Sequence, residues 1–157
     1  MGRVRSVQLL DDRPASALVR GAAAGAVATV VMSGVMLAAH RAGLVGRLPP
    51  EAVVREAGRR AGAEPRGRTA SALAAVAHVG FGATTGALHA LLPATDRPVR
   101  RAVLLAVGVY AGSYAGWVPA LGALPTASRD RPDRQVVMAA SHVVYGTVLG
   151  LLDDRWR

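Results

Sequence analysis

Cysteine, lysine, isoleucine and asparagine are all missing from this 157-residue chain. Without cysteine there is no disulfide framework, no thiolate-bound zinc, no iron–sulfur cluster and no cysteine nucleophile. Aromatic residues make up only 4% of the chain and charged residues 18%, against 52% hydrophobic. All 19 basic residues are arginine, a bias that accompanies GC-rich coding and carries no chemistry by itself. The net charge of +9 would suit nucleic acid if the arginines formed one patch. They fall instead in five short stretches, at 1–20, 41–68, 96–101, 129–134 and 153–157. No nucleic-acid partner is expected.

Between those stretches lie four runs without a single Asp, Glu or Arg, at 21–40, 69–95, 102–128 and 135–152. A soluble amphipathic helix of that length needs charge on its outer face. At ~1.5 Å per residue such runs can cover the ~30 Å hydrocarbon layer of a bilayer. The expected fold is therefore all-α: an integral membrane four-helix bundle in a single membrane domain, 1–157, whose first partner is the lipid bilayer. A buried, Ala-rich soluble bundle is the alternative. The spans are placed at about 17–39, 69–92, 101–118 and 135–152. Arg3 and Arg5 resemble the charged head of a signal peptide, but the run behind them is long and three more follow, so the first helix is read as retained.

The segment 41–68 is the only sizeable polar one. Pro49-Pro50-Glu51 is a good helix opening, with proline in the first turn and an acid at the positive end of the dipole. Val53, Val54, Ala57 and Ala61 share one face, with Arg55, Arg59 and Arg60 largely elsewhere. That pattern predicts a short interfacial helix, its arginines on lipid headgroups at ~1 kcal/mol each; a solvated connecting helix fits as well. Four spans put both termini on the same side. That side carries 9 arginines and the opposite side 10, so the positive-inside rule gives no orientation.

Residues 77–88 and 141–152 both fit His-Val-x-[Phe/Tyr]-Gly-x-x-x-Gly-x-Leu, 64 residues apart. Upstream, Val45-Gly46-Arg47-Leu48-Pro49 matches Leu121-Gly122-Ala123-Leu124-Pro125. Two matches in the same order suggest two duplicated helical hairpins, spans 1–2 and 3–4. His78, Gly82, Gly86 and His89 share a face of span 2, and His142, Gly146 and Gly150 a face of span 4. Each histidine thus leads a small-residue stripe of the Gly-x-x-x-Gly type, which lets helices approach closely in lipid. Gly108, Gly112 and Gly116 form a third stripe on span 3, with Tyr110, Tyr114 and Trp117 opposite. If spans 2 and 4 meet on their stripes, His78 and His142 sit at similar depth. Pro119 is expected to kink or end span 3, with Gly122 and Pro125 completing an apolar break.

The Gly/Ala-rich first span with Thr29 and Ser33, the Pro119-x-x-Gly122-x-x-Pro125 break, and the histidine-led later spans (His78 and His142) together resemble the YagU-like inner-membrane proteins of bacteria. The likeness covers most of the chain, which is shorter, cysteine-free and poorer in aromatics than the enteric members. It implies a multi-pass protein of the bacterial cytoplasmic membrane and supplies no reaction, substrate or catalytic residue.

Ionisable residues inside spans are costly and often functional. His78, His89 and His142 form the candidate intramembrane polar site. They can hydrogen-bond across helices as structural groups, serve a proton or ion path, or hold a metal or haem between His78 and His142. The structural reading has precedence and no cofactor or metal is expected. His40, beside Arg41, reads as interfacial, and Asp11-Asp12 and Asp153-Asp154 as solvated end charges. No Gly-x-Ser-x-Gly, phosphate loop, HExxH or dinucleotide fingerprint occurs, so an enzyme is not expected. The leading expectation is a structural or accessory membrane protein, acting through helix packing and partner contacts, with an outward stripe left for a homodimer. The runner-up is a small proton or solute permeation protein using the histidines.

Overall fold

A computed structural model describes the backbone from Arg3 to Trp156 and the side chains from Pro14 to Trp156. The side chains of Arg3, Arg5, Asp11 and Asp12 lie outside the described residues. Helix α1 runs Arg3–Arg41, α2 Pro49–Arg60, α3 Gly67–Ala90 and α4 Pro98–Gly112. A π-helical turn, Ser113–Trp117, carries α4 into the short α5, Val118–Ala120, and α6 closes the chain at Pro132–Trp156. The architecture is all-α. Four stretches, Pro14–Arg41, Gly67–Ala90, Pro98–Ala120 and Pro132–Trp156, are long and apolar enough to cross a membrane. The shortest, of 23 residues, spans about 35 Å at ~1.5 Å per residue.

Lipid offers backbone and hydroxyl groups no water, so polar side chains must find partners within the protein. Here most bond their own helix one turn back. Thr29 donates to the Gly25 carbonyl at 2.8 Å, Thr85 to Phe81 at 3.0 Å and Ser141 to Val137 at 2.7 Å. The outward faces carry large apolar side chains, among them Val30, Val76, Leu104 and Val136. The interior is filled by small residues and methionine: Ala24, Ala28, Met32, Met36, Ala102, Ala106 and Met138 around Leu149 and Tyr145.

The packing order is α3 on α1, α1 on α6, and α6 on α4, with α2 lying against α3. Spans 2 and 4 therefore do not meet on their glycine stripes as the sequence suggested. Each stripe is taken up by the preceding span of its own hairpin. A methyl group added at Gly82 would lie 1.8 Å from the Thr29 hydroxyl oxygen, and one at Gly86 2.2 Å from the Gly21 carbonyl. On the other hairpin, a methyl at Gly146 would meet the Val103 backbone at 2.5 Å, and one at Gly150 the Val99 backbone at 2.5 Å. The first seam also uses Gly21 and Gly25, where an added Cβ would fall 2.5 and 2.2 Å from α3 carbonyls. Side chains of that size would force the helices apart.

The third stripe is different. Around Gly108, Gly112 and Gly116 nothing approaches within 4 Å of an added Cβ, and all three are exposed. It faces outward.

Pro119 acts earlier in the chain than its own position. It has no N–H for the Ala115 carbonyl and its ring crowds that group, so the ladder widens: Val118 N–H reaches back to Ser113, and Gly116 leaves helical geometry at φ −114°, ψ −106°. This is a π-type bulge, a usual cause of a sharp bend. The span then ends at Gly122, whose φ of +76° lets Ala123 N–H return to Val118 at 3.2 Å and Gly122 N–H to Pro119 at 2.9 Å. Span 1 ends in the same way at Gly43, φ +75°. The structural counterpart of Gly122 is thus Gly43 and not Gly46, which corrects the register of the upstream repeat match. The apolar spacing that matched Val45–Pro49 to Leu121–Pro125 does not report which glycine must be left-handed.

Candidate functional site

His78 and His142 line one small central void of about 30 Å³, together with Thr29, Thr85, Gly82 and Tyr145. They come together without their helices packing stripe to stripe, because side chains bridge the gap. Tyr145 of α6 donates its hydroxyl to the Gly82 carbonyl of α3 at 2.7 Å. His78 Nδ1 pairs with the Ser33 hydroxyl of α1 at 3.2 Å. His142 Nδ1 donates to the Met138 carbonyl at 2.8 Å, and its ring lies 5.0 Å from that of Tyr110. A carbonyl only accepts, so His142 carries its proton on Nδ1 and leaves Nε2 as an acceptor when neutral.

The void shares Met32, His78, Phe81 and His142 with a cleft of about 270 Å³ bordered by α2. Its walls are Met32, Met36, Phe81, Trp117, Val118 and Met138, with Pro49, Pro50, Val53 and Val54 above and both histidines within. A second cleft of about 390 Å³ borders His78 from the other side, lined by Ser33, His40, Glu51 and Ser71 among others. Toward the other end of the bundle the side chains are closely packed. Ala24, Ala28, Ala102 and Leu149 are all buried to 1% exposure or less.

Helix α2 is held over this mouth. Its apolar edge turns to the bundle: Ala52 is buried, and Val53 and Val54 face the cleft, whereas Ala57 and Ala61 are exposed. The interfacial reading had grouped all four on one lipid-facing surface. The arginines are satisfied by acids of the same helix. Arg55 holds Glu51 at 2.8 Å, and Arg59 and Arg60 grip Glu56 at 2.5 and 3.1 Å. The hydrogen bonds from Arg59 and then Arg60 hold the Glu56 carboxyl down to about 2, and Glu56 in turn raises Arg59.

His89 belongs elsewhere. It is buried at the far end of α3, where Arg101 Nε donates to its Nε2 at 3.2 Å and Asp153 approaches its Nδ1 at 3.8 Å. Arg101 also reaches Asp153 at 3.3 Å and donates to the Pro93 carbonyl. Asp153 is therefore no solvated end charge, whereas Asp154 is exposed as expected. A second buried ionic group lies at the opposite end of the α4–α6 hairpin. The Asp130 carboxylate, wholly shielded from solvent, accepts from Arg134, from Tyr114 and from the Arg131 backbone N–H. Burial alone would raise the Asp130 pKa; these three donors outweigh it and hold the carboxyl below its usual range. His40 is exposed and its Nδ1 caps the Val45 and Gly46 carbonyls at 3.1 and 2.8 Å. Among the described residues no group of three or more His, Asp or Glu is placed to hold a metal ion.

Residues 15–157 match a family of unknown function, DUF6789. The chain belongs to that family. No curated protein and no solved structure matches it.

In this DUF6789 protein several residues of the site gave no sign in the sequence. Tyr145 is simply the aromatic of the repeat motif, and Arg101, Asp130 and Asp153 look like loop charges. Each finds its partner between 4 and 63 residues away through the bundle. The clue that was available is small. Asp130 and Arg134, like Glu51 and Arg55, stand four apart with the acid first, the favourable order on a helix face, although only the second pair lies within one helix.

Proposed function

We propose that this chain is a non-enzymatic, structural or accessory protein of the bacterial cytoplasmic membrane, with both termini on one side, which works by pairing through α4 with a second copy of itself. The observation that carries this reading is the fate of the three glycine stripes. Two are consumed inside the monomer against helix backbone, while Gly108, Gly112 and Gly116 stand open. A row of glycines gives lipid little apolar area and gives another helix a flat surface to approach. Two copies related by a two-fold axis present that surface to each other identically. The resemblance to YagU-like proteins supports the bacterial inner membrane as the setting.

Because the chain has no cysteine, single cysteines test the pairing in native membranes. Ala111→Cys, beside the stripe and exposed, is expected to oxidise to a disulfide dimer. Val76→Cys on α3, 73% exposed, is expected to stay monomeric. Adding Gly112→Leu to Ala111→Cys should abolish the dimer. Equal cross-linking at positions 111 and 76 defeats the proposal.

The permeation reading draws support from the void shared by His78 and His142. Against it stands the close packing of Ala28, Ala102 and Leu149. No pH-dependent flux above that of empty vesicles is expected of the reconstituted protein.

A further inference from the structure

A cleft that ends against a closely packed interior is arranged to hold something rather than to pass it. The cleft under α2 measures about 270 Å³, just below the ~300–1,000 Å³ of typical small-molecule sites. It suits a ring-sized head whose tail leaves into lipid. Three of its walls are methionines, Met32, Met36 and Met138, and two are aromatic, Phe81 and Trp117. Methionine sulfurs adapt their shape and interact favourably with aromatic rings.

The polar groups are few and specific. His142 Nδ1 is committed to the Met138 carbonyl and His78 Nδ1 to Ser33. Neither Nε2 has a hydrogen-bond partner among the described residues, neither is fully buried, and both histidines line the cleft. With Nδ1 protonated, His142 Nε2 accepts. No arginine lines the cleft, so nothing there compensates the charge of a carboxylate or phosphate head.

We infer that the cleft between α2 and the pair His78–His142 is a binding site for a lipid-soluble hydroxylated aromatic molecule of the hydroquinone class. Its ring lies among the methionines and its hydroxyl donates to His142 Nε2. The site is independent of the α4 stripe, whose glycines lie outside it.

The probe is decyl-hydroquinone, titrated into the full chain in nanodiscs. The chain has two tryptophans, and Trp156→Phe leaves Trp117, in the cleft wall, as the only reporter. A saturable fluorescence change is expected. Loss of the single hydrogen bond in His142→Leu should weaken binding about ten-fold, and His142→Gln, whose amide oxygen can accept, should recover most of it. The di-O-methyl ether, which has no donor, should bind the otherwise wild-type chain about ten-fold more weakly and be indifferent to His142→Leu. This ligand comparison needs no histidine variant to fold. If the ether and the hydroquinone bind the wild-type chain equally, or if decanoic acid binds as tightly as the hydroquinone, the assignment is wrong and an acyl chain occupies the cleft.

Discussion

The Tyr145 hydroxyl reaches across from α6 to the Gly82 carbonyl of α3 at 2.7 Å, although both helices pack on α1 rather than on each other. The same carbonyl lies against Gly25 of α1, where a Cβ would fall 2.2 Å from its oxygen, so it is α1's glycine that leaves this acceptor room. Gly25 and Gly82 thus let α1 and α3 approach closely, and the Gly82 carbonyl at that seam is the acceptor that the second hairpin uses. Tyr145 is also a wall of the void that holds His78 and His142. Packing and polar site are fastened by the same contact.

Tyr145→Phe is expected to keep the ring and lose only the hydroxyl's bond. Interhelical hydrogen bonds in membranes average about 0.6 kcal/mol, rising toward 2, and leaving the Gly82 carbonyl without that donor adds to the loss. A decrease of about 1 kcal/mol in unfolding free energy in mixed micelles is the expected result. No change would mean that the carbonyl finds another donor.

Gly82→Ala and Gly108→Ala add the same methyl group in helices of similar composition and should behave differently. At Gly82 the methyl would sit 1.8 Å from Thr29 Oγ1, inside the α1–α3 seam. Overpacking of this kind costs about 1–3 kcal/mol. At Gly108 it meets open space, and exchanging glycine for alanine in an exposed helix interior is neutral to favourable for the monomer. Thr29→Ala, by removing the nearest atom, should restore part of the Gly82→Ala loss. Thermal unfolding of the four variants decides the point, and equal losses at 82 and 108 would contradict the assignment of inner and outer stripes.

Those two glycines also mark how far the sequence could be read. The four apolar helices are legible because lipid excludes charge from every face, and charge is the easiest property to see in a sequence. The Pro119 bend is legible because proline acts locally. Which of the three stripes faces outward is not, since Gly82, Gly108 and Gly146 carry the same spacing and only the partner helix distinguishes them. His89 looked like a sibling of His78 because the two share a helix face; its partners Arg101 and Asp153 lie 12 residues or more along the chain. Long-range ion pairs of that sort leave no periodicity behind.

Asp130 gives the pH dependence a definite sign. Its carboxyl pKa is lowered in the folded chain, so its stabilising contribution is present in full above the unfolded value of about 3.9. That contribution is lost as the pH falls from there toward the folded value. Asp130→Asn leaves Arg134 without its partner, a change that costs about 3–5 kcal/mol in buried pairs. Arg134 keeps some exposure, so a loss near 3 kcal/mol at neutral pH is expected. The gap between wild type and variant should narrow as the pH drops below 4. A gap of constant size down to pH 2 would show that the pair contributes through packing rather than charge.

Asp153 and Asp154 are neighbours of identical chemistry with opposite surroundings, and they make the last contrast. Asp153 is 12% exposed, bonded to Arg101 and 3.8 Å from the buried His89. It ties the end of α6 to the start of α4 and the end of α3, so three spans share one carboxylate. Asp154 is exposed. Asp153→Asn leaves a partly buried guanidinium short of its counter-charge, and a loss of about 2–3 kcal/mol is expected, less than for a wholly buried pair because solvent reaches both groups. Asp154→Asn should fall within about 0.5 kcal/mol of wild type, as surface substitutions usually do. Unfolding of the two variants side by side, at equal net charge, isolates geometry from charge; matching losses would return Asp153 to the status of a solvated end group.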